Sequence, residues 1–227
     1  MATNRLPTWE YKQAIFDQID YTPNSYQEKG HKEAGRYIAV FGGERAGKSR
    51  WTSAEALARA PFTADLDLQT LQVHKPGKIA IVGQEYANSA AEFDYLMNDL
   101  KRLGNLGPTV KHPAIGPSYL QVMAAGHLFA EVFTMSVKDG PHELTGKGMP
   151  YDLVLLCEAG LLRSDILLAA RGRVAQTRGA VILSGTLWDD TGWYSDLWQE
   201  WAGANPDGGT RLILPTYANT AIFPGGE

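Results

Sequence analysis

YIAVFGGERAGKSR, residues 37–50, decides how the rest of the chain is read. A short apolar run, Tyr37–Phe41, breaks at Gly42-Gly43, and an Ala- and Leu-rich stretch then runs from Lys48 to Ala60 and stops at Pro61. The order is buried strand, glycine-bearing loop, helix. The loop, Gly42-Gly43-Glu44-Arg45-Ala46-Gly47-Lys48-Ser49, fits the spacing G-x-x-x-x-G-K-[ST]. Gly42 and Gly47 let the backbone curl so that several N–H groups point inward at phosphate oxygens. The helix that opens near Gly47 adds its positive N-terminal end. Lys48 is then expected to reach the β- and γ-phosphates of a nucleotide, and the Ser49 hydroxyl to hold Mg²⁺.

A phosphate loop binds, but hydrolysis also needs a polarised water and a held metal. The expected partner is a buried strand ending in an acid. Asp152–Cys157 supplies the strand, with a continuous apolar run (Leu153–Leu156) of the kind covered on both faces, and Glu158 supplies the acid. Glu158 is the candidate general base, and metal contact falls to Ser49, water and Glu158. Asp152 opens the strand at the end away from the nucleotide. Cys157 reads as a small residue at the edge of the core. Ala180–Leu183 is a further buried strand, and Ser184-Gly185-Thr186 follows it with small hydroxyl side chains placed to sense a γ-phosphate.

Working outward, Trp9–Ile19 has a weak helical pattern and Tyr21-Thr-Pro-Asn-Ser-Tyr-Gln27 reads as a turn. Lys78–Val82 is a strand. Ala87–Leu103 is a helix with Ala91, Tyr95, Leu96, Leu100 and Leu103 at helical spacing. Gly104–Pro117 is loop, and Tyr119–Met123 with Leu128–Met135 suggests a hairpin around Ala124–Gly126. Leu162–Ala175 and Trp193–Trp201 are helices, and Arg211–Leu214 is a last strand. Strands alternating with helices give an α/β domain with a mainly parallel central sheet flanked by helices. The aromatic residues of 193–201 sit at core spacing, with Trp193, Leu197 and Trp201 at i, i+4, i+8.

With 227 residues the chain suits one large domain, and a net charge of −4 without runs of like charge announces no polyanion partner. A single cysteine excludes an internal disulfide and points to a reducing compartment. The five histidines show no metal-ligand spacing. No window is long and apolar enough for a membrane span, so no membrane partner is expected.

The ordered set of motifs resembles the ATPase domain of the large terminase subunit of tailed bacteriophages. Tyr21–Gln27 looks like that family's adenine-reading segment, GGERAGKS like its Walker A motif, and LVLLCEAG like Walker B. Ile81–Tyr86 with Ala91–Leu96 is similar to its second strand and helix. SGTLWDDTGWYSDLW resembles its coupling motif, and Pro215–Asn219 the segment that leaves the domain. The resemblance covers residues 20–224. It divides the chain into residues 1–36, which carry the adenine motif, a core at 37–215, and 216–227 at the start of a linker. It implies a RecA-like ATPase fold, with Gln27 reading the base, Gly42–Ser49 binding ATP and Mg²⁺, and Ser184, Gly185 and Thr186 coupling hydrolysis to movement. It further implies a homo-oligomeric ring, double-stranded DNA, a portal protein and a small terminase subunit as partners, and action in the host cytoplasm on a procapsid.

Three departures qualify it. Cys157 stands where Walker B carries an aspartate. Leu144-Thr145-Gly146-Lys147 has Thr145 where relatives often place an arginine that acts on the neighbouring subunit, leaving Lys147, Arg171, Arg173 and Arg178 as candidates and Arg45 as one acting in cis. No second cluster of acids follows Pro224, so this polypeptide alone is not expected to cut DNA. The alternatives with the same core are a helicase-like or repair DNA-dependent ATPase, a small-molecule kinase, and an assembly module that barely turns over.

Overall fold

The computed structural model describes residues 6–67, 72–146, 148–187, 191–202 and 208–224. Helices α1 (Trp9–Gln18) and α2 (Ser25–Glu33) precede strand β1 (Tyr37–Gly42) and helix α3 (Lys48–Arg59). A short hairpin, β2 (Asp65–Asp67) and β3 (Gln72–Lys75), leads to β4 (Gly77–Gly83) and α4 (Ala90–Arg102). Strands β5 (Tyr119–Ala124) and β6 (His127–Ser136), helix α5 (His142–Thr145), strand β7 (Leu153–Cys157) and helix α6 (Ser164–Ala175) follow. The chain closes with β8 (Ala180–Gly185), α7 (Trp193–Glu200) and β9 (Thr210–Leu214).

Seven strands form one sheet in the order β5-β6-β4-β7-β8-β1-β9. All neighbours are parallel except the edge pair β5–β6. Each central strand alternates its side chains between two cores, as the pleat requires. Ile38, Val40, Leu153, Leu155 and Ile182 face one side with Trp51, Phe93 and Leu96 of α3 and α4. Ala39, Phe41, Val154, Leu156 and Leu183 face the other with Ile166, Tyr194 and Leu197 of α6 and α7. Phe16 and Ile19 of the N-terminal segment join the first core. Trp193 and Trp198 pack against the second beside buried Trp201, so the aromatic helix is a core element.

Two readings of the sequence need correction. Residues Ser25–Glu33 are helix α2 rather than the continuation of a turn. Asn24 and Gln27 form a reciprocal capping box at its start, which offsets the lack of an apolar stripe. The buried face of α4 is Glu92, Phe93, Leu96, Asp99 and Leu100, whereas Ala91 and Tyr95 are exposed. The face is rotated by about one residue because two acids occupy the buried stripe.

The register sets the site. Phe41 lies beside Gly185, Cys157 beside Ser184, and Val82 beside Leu156. The carboxyl ends of four parallel strands therefore meet along one edge, where α/β proteins bind ligands.

Candidate active site

The loop between β1 and α3 turns through two left-handed residues, Arg45 (φ 59) and Gly47 (φ 84). At Gly47 a Cβ would lie 2.7 Å from Gln27 Nε2, so glycine is required both for the turn and for the approach of α2. Gly47 caps α3 without a side-chain bond, which leaves the helix N-terminus facing the loop. Trp51 Nε1 donates to Gln27 O at 3.0 Å and ties α2 to the same helix. Glu44 and Arg45 are exposed at the loop tip, and Ala46 is buried beneath them.

Lys48 is buried, and its Nζ donates to Gly42 O (3.0 Å), Gly43 O (2.8 Å) and Thr186 Oγ1 (3.1 Å). One amine thus bridges the phosphate loop and the end of β8. Burial pulls the Lys48 ammonium below its ordinary value, while the carboxylates of Glu158, Glu92 and Glu44 pull it back up. Glu158 ends β7 in the left-handed region, φ 47 and ψ 52. That conformation costs a non-glycine residue about 1–2 kcal/mol and turns the chain sharply at the strand end. Gly185 packs on this turn: a Cβ there would lie 2.9 Å from Ala159 N and 3.2 Å from Gly160 N. Ser184 is buried beside Cys157. Tyr194 Oη donates to Val40 O at 3.0 Å and its ring packs at a tilt on Phe41, so α7 braces the strand that feeds the loop.

The segment after β9 folds back over the loop. Asn219 Nδ2 donates to Arg45 O at 2.6 Å, Thr216 Oγ1 to Glu44 O at 3.4 Å, and Asn24 Nδ2 to Ala218 O at 3.0 Å. The hydroxyls of Tyr26 and Tyr217 lie 3.0 Å apart beside it, both rings partly exposed. Sequence reasoning placed Gln27 here and missed the two tyrosines, because their pairing joins residues 191 positions apart.

A second residue was missed. Glu92, three residues into α4, is buried, with the Ser49 and Cys157 side chains beside its carboxyl. Burial pushes Glu92 above the ordinary carboxylate range, the bonds from Ser49, its own backbone and Cys157 oppose this, and the charge of Glu158 adds to it. Burial likewise pushes the Cys157 thiol well up, helped by Glu92 and Glu158, so it is a neutral side chain. The signal was an acid on the buried stripe of a helix that follows a central strand.

The remaining cations lie elsewhere. Arg173 Nη2 donates to Thr145 O at 2.6 Å, and Arg171 lies 4.6 Å over the Tyr37 ring at the opposite end of β1 from the loop. Arg178 follows α6 in the left-handed region (φ 55), before β8 begins. Lys147 lies outside the described residues. Asp152 sits at the far end of β7, where its carboxylate accepts from Lys78 N at 2.8 Å.

These side chains could hold a nucleoside triphosphate with Mg²⁺: an ammonium and an open helix N-terminus for the phosphates, a hydroxyl for the metal, and the carboxylate of Glu158 for water. The backbone matches the ATPase domain of the large terminase of Thermus phage P74-26, at 16% identity and a TM-score of 0.67, over 92% of this chain and 86% of that one. This chain has the fold of a phage large terminase ATPase domain. The terminase fold recurs in the large terminase of a second, thermophilic bacteriophage in complex with ADP, at 15% identity and a TM-score of 0.65, over 88% of this chain and 47% of that one. That second terminase in complex with ATP-gamma-S gives a TM-score of 0.60 at 14% identity. No family model and no curated protein matches the sequence. Among the described residues no helix is long and apolar enough to cross a membrane.

Proposed function

We propose that this chain is the ATP-hydrolysing subunit of a phage DNA-packaging motor. The observation that carries the reading is the bridge from Lys48 to Thr186, which joins the phosphate loop to the end of β8 next to the strand that presents Glu158. The large terminase of the thermophilic bacteriophage was solved with ADP and with ATP-gamma-S, which supports a nucleotide at the corresponding loop.

Ser49 would hold Mg²⁺, and the bound ion would neutralise charge on the phosphate oxygens. Lys48 would turn its donors from Gly42, Gly43 and Thr186 to those oxygens, which frees the Thr186 hydroxyl. Glu158 would take a proton from the attacking water. Gln27, held between its capping role and Gly47, would read the base from the α2 side. The exposed Arg45 is the cation nearest the loop for a role in cis, and a neighbouring copy would supply one in trans, with Lys147 still a candidate. Ser184, Gly185 and Thr186 would pass the change to a surface that grips duplex DNA by its phosphates. The working assembly would be a ring of this chain with portal and small terminase subunits, acting in the host cytoplasm at the procapsid. No observation favours the helicase-like reading.

The test is steady-state ATP hydrolysis with and without linear duplex DNA, at two salt concentrations, for this chain and Lys48→Ala. Turnover by the parent, and a loss of about 10²–10³-fold in the variant, are expected. DNA stimulation should fade steeply with salt, as phosphate contacts require. Stimulation that ignores salt would remove the DNA-motor reading and leave only an ATPase.

A further inference from the structure

Walker B lacks its aspartate here, because Cys157 ends β7 with a neutral thiol. The fold nevertheless brings a carboxylate to that thiol from another element. Glu92 of α4 is 3% exposed, and the Ser49 hydroxyl and the Cys157 thiol beside it are both uncharged. A buried carboxylate is costly unless a cation offsets it. Lys48 spends its hydrogen bonds on Gly42, Gly43 and Thr186.

The position of Glu92 is fixed from both sides. Phe93, Leu96 and Leu100 bury the same face of α4 in the core. Arg50, next to Ser49, forms an ion pair with Asp99 two turns further along α4 and lies 5.4 Å over the Tyr95 ring. The two residues after Gly47–Lys48 therefore do two things: Ser49 meets Glu92, and Arg50 locks the helix that carries it. Mg²⁺ sites take one or two carboxylates and fill the remaining positions with phosphate oxygens and water. A carboxylate beside the serine of the phosphate loop is placed to accept from such water.

We propose that Glu92 takes over the part of the missing Walker B aspartate, orienting the water shell of Mg²⁺ beside Ser49 and leaving Glu158 free to act on the attacking water. This rests on the ATPase reading above. Glu92 is a positioning residue: it acts on the metal through water and Ser49.

The test is binding of a fluorescent ATP analogue, with Mg²⁺ and with chelator, to the parent chain, Glu92→Gln, and the double variant Glu92→Gln/Cys157→Asp, with a thermal melt of each without ligand. In the parent, Mg²⁺ should tighten binding. In Glu92→Gln that gain should fall by roughly 10–100-fold, as for outer partners of a metal, while chelator-state affinity holds. The carboxylate at position 157 in the double variant should restore it. Glu92→Gln should melt no lower than the parent, because it removes a buried acid that has no ion-pair partner among the described residues. A variant that unfolds or melts lower would make Glu92 a structural residue and overturn the proposal. So would a Mg²⁺ gain that survives Glu92→Gln. If the parent binds the analogue under neither condition, the ATPase reading itself fails, a result separable from the other two.

Discussion

Helix α3 carries a polar cluster at each end, and the two are built on opposite plans. Toward its C-terminus Glu55, fully buried, accepts from Lys12 Nζ (2.7 Å), His31 Nδ1 (2.8 Å) and Arg59 Nε (2.7 Å). His31 in turn meets the Tyr21 hydroxyl at 3.2 Å and stacks on Trp51. Burial works against the charged Glu55, but Arg59, His31 and Lys12 outweigh it and hold the carboxyl well below its usual range. At the N-terminus, about 10 Å away along the axis, the order is reversed. Lys48 donates to carbonyls and a hydroxyl, while the carboxylates of Glu92 and Glu158 influence it without an ion pair to it among the described residues. A cluster whose charges close on one another sets packing. A cluster whose charges remain uncompensated has something left to give a ligand.

Breaking the closed cluster should produce the largest effect. Glu55→Gln leaves Lys12 and Arg59 buried without their carboxylate, at a cost of about 3–5 kcal/mol. Chemical denaturation should show that loss, and the folded fraction should still bind ATP as the parent does. A stability loss below about 1 kcal/mol would mean that the cluster does not organise the N-terminal helices.

Acid should separate the two ends next. Burial lowers the His31 pKa from the usual 6.5, so the unfolded chain takes up this proton at a higher pH than the folded one. Stability therefore falls as pH drops below the unfolded value, by up to about 1.4 kcal/mol per pH unit. Glu55, held low, adds its own loss only further down, as pH falls below 4.5 toward its depressed folded value. Urea midpoints at pH 7, 6 and 5 should decline across that range; a flat profile would mean that burial does not shift His31, and a rising one that His31 is charged in the fold.

The smallest effect should come from the link between the ends. Trp51→Phe removes the bond to Gln27 O, worth roughly 1 kcal/mol. Its imprint should be a few-fold weaker adenine-nucleotide binding. An equal loss for a guanine nucleotide would show that α2 does not read the base.

How much of this was legible follows from the range of each signal. The phosphate loop, the strand–helix alternation and Glu158 are local patterns, and the structure places Lys48, Ser49, Glu158 and Thr186 along one sheet edge as that pattern requires. Helix α2 was hidden because SYQEKGHKE has no apolar stripe; a capping box and the burial of Gln27 and His31 make it a helix. Glu92 was hidden because it and Asp99 are acids on a buried face, where periodicity expects carbon. Their partners, Ser49, Cys157 and Arg50, come from other elements, and no spacing rule joins them.

Gly185 has one more consequence. With no side chain, it lets the turn carrying Glu158 rest directly on the end of β8, backbone against backbone. In mechanical terms the joint has no clearance. Even a single methyl group at this position would act as a shim, prying the turn that carries Glu158 away from the end of β8.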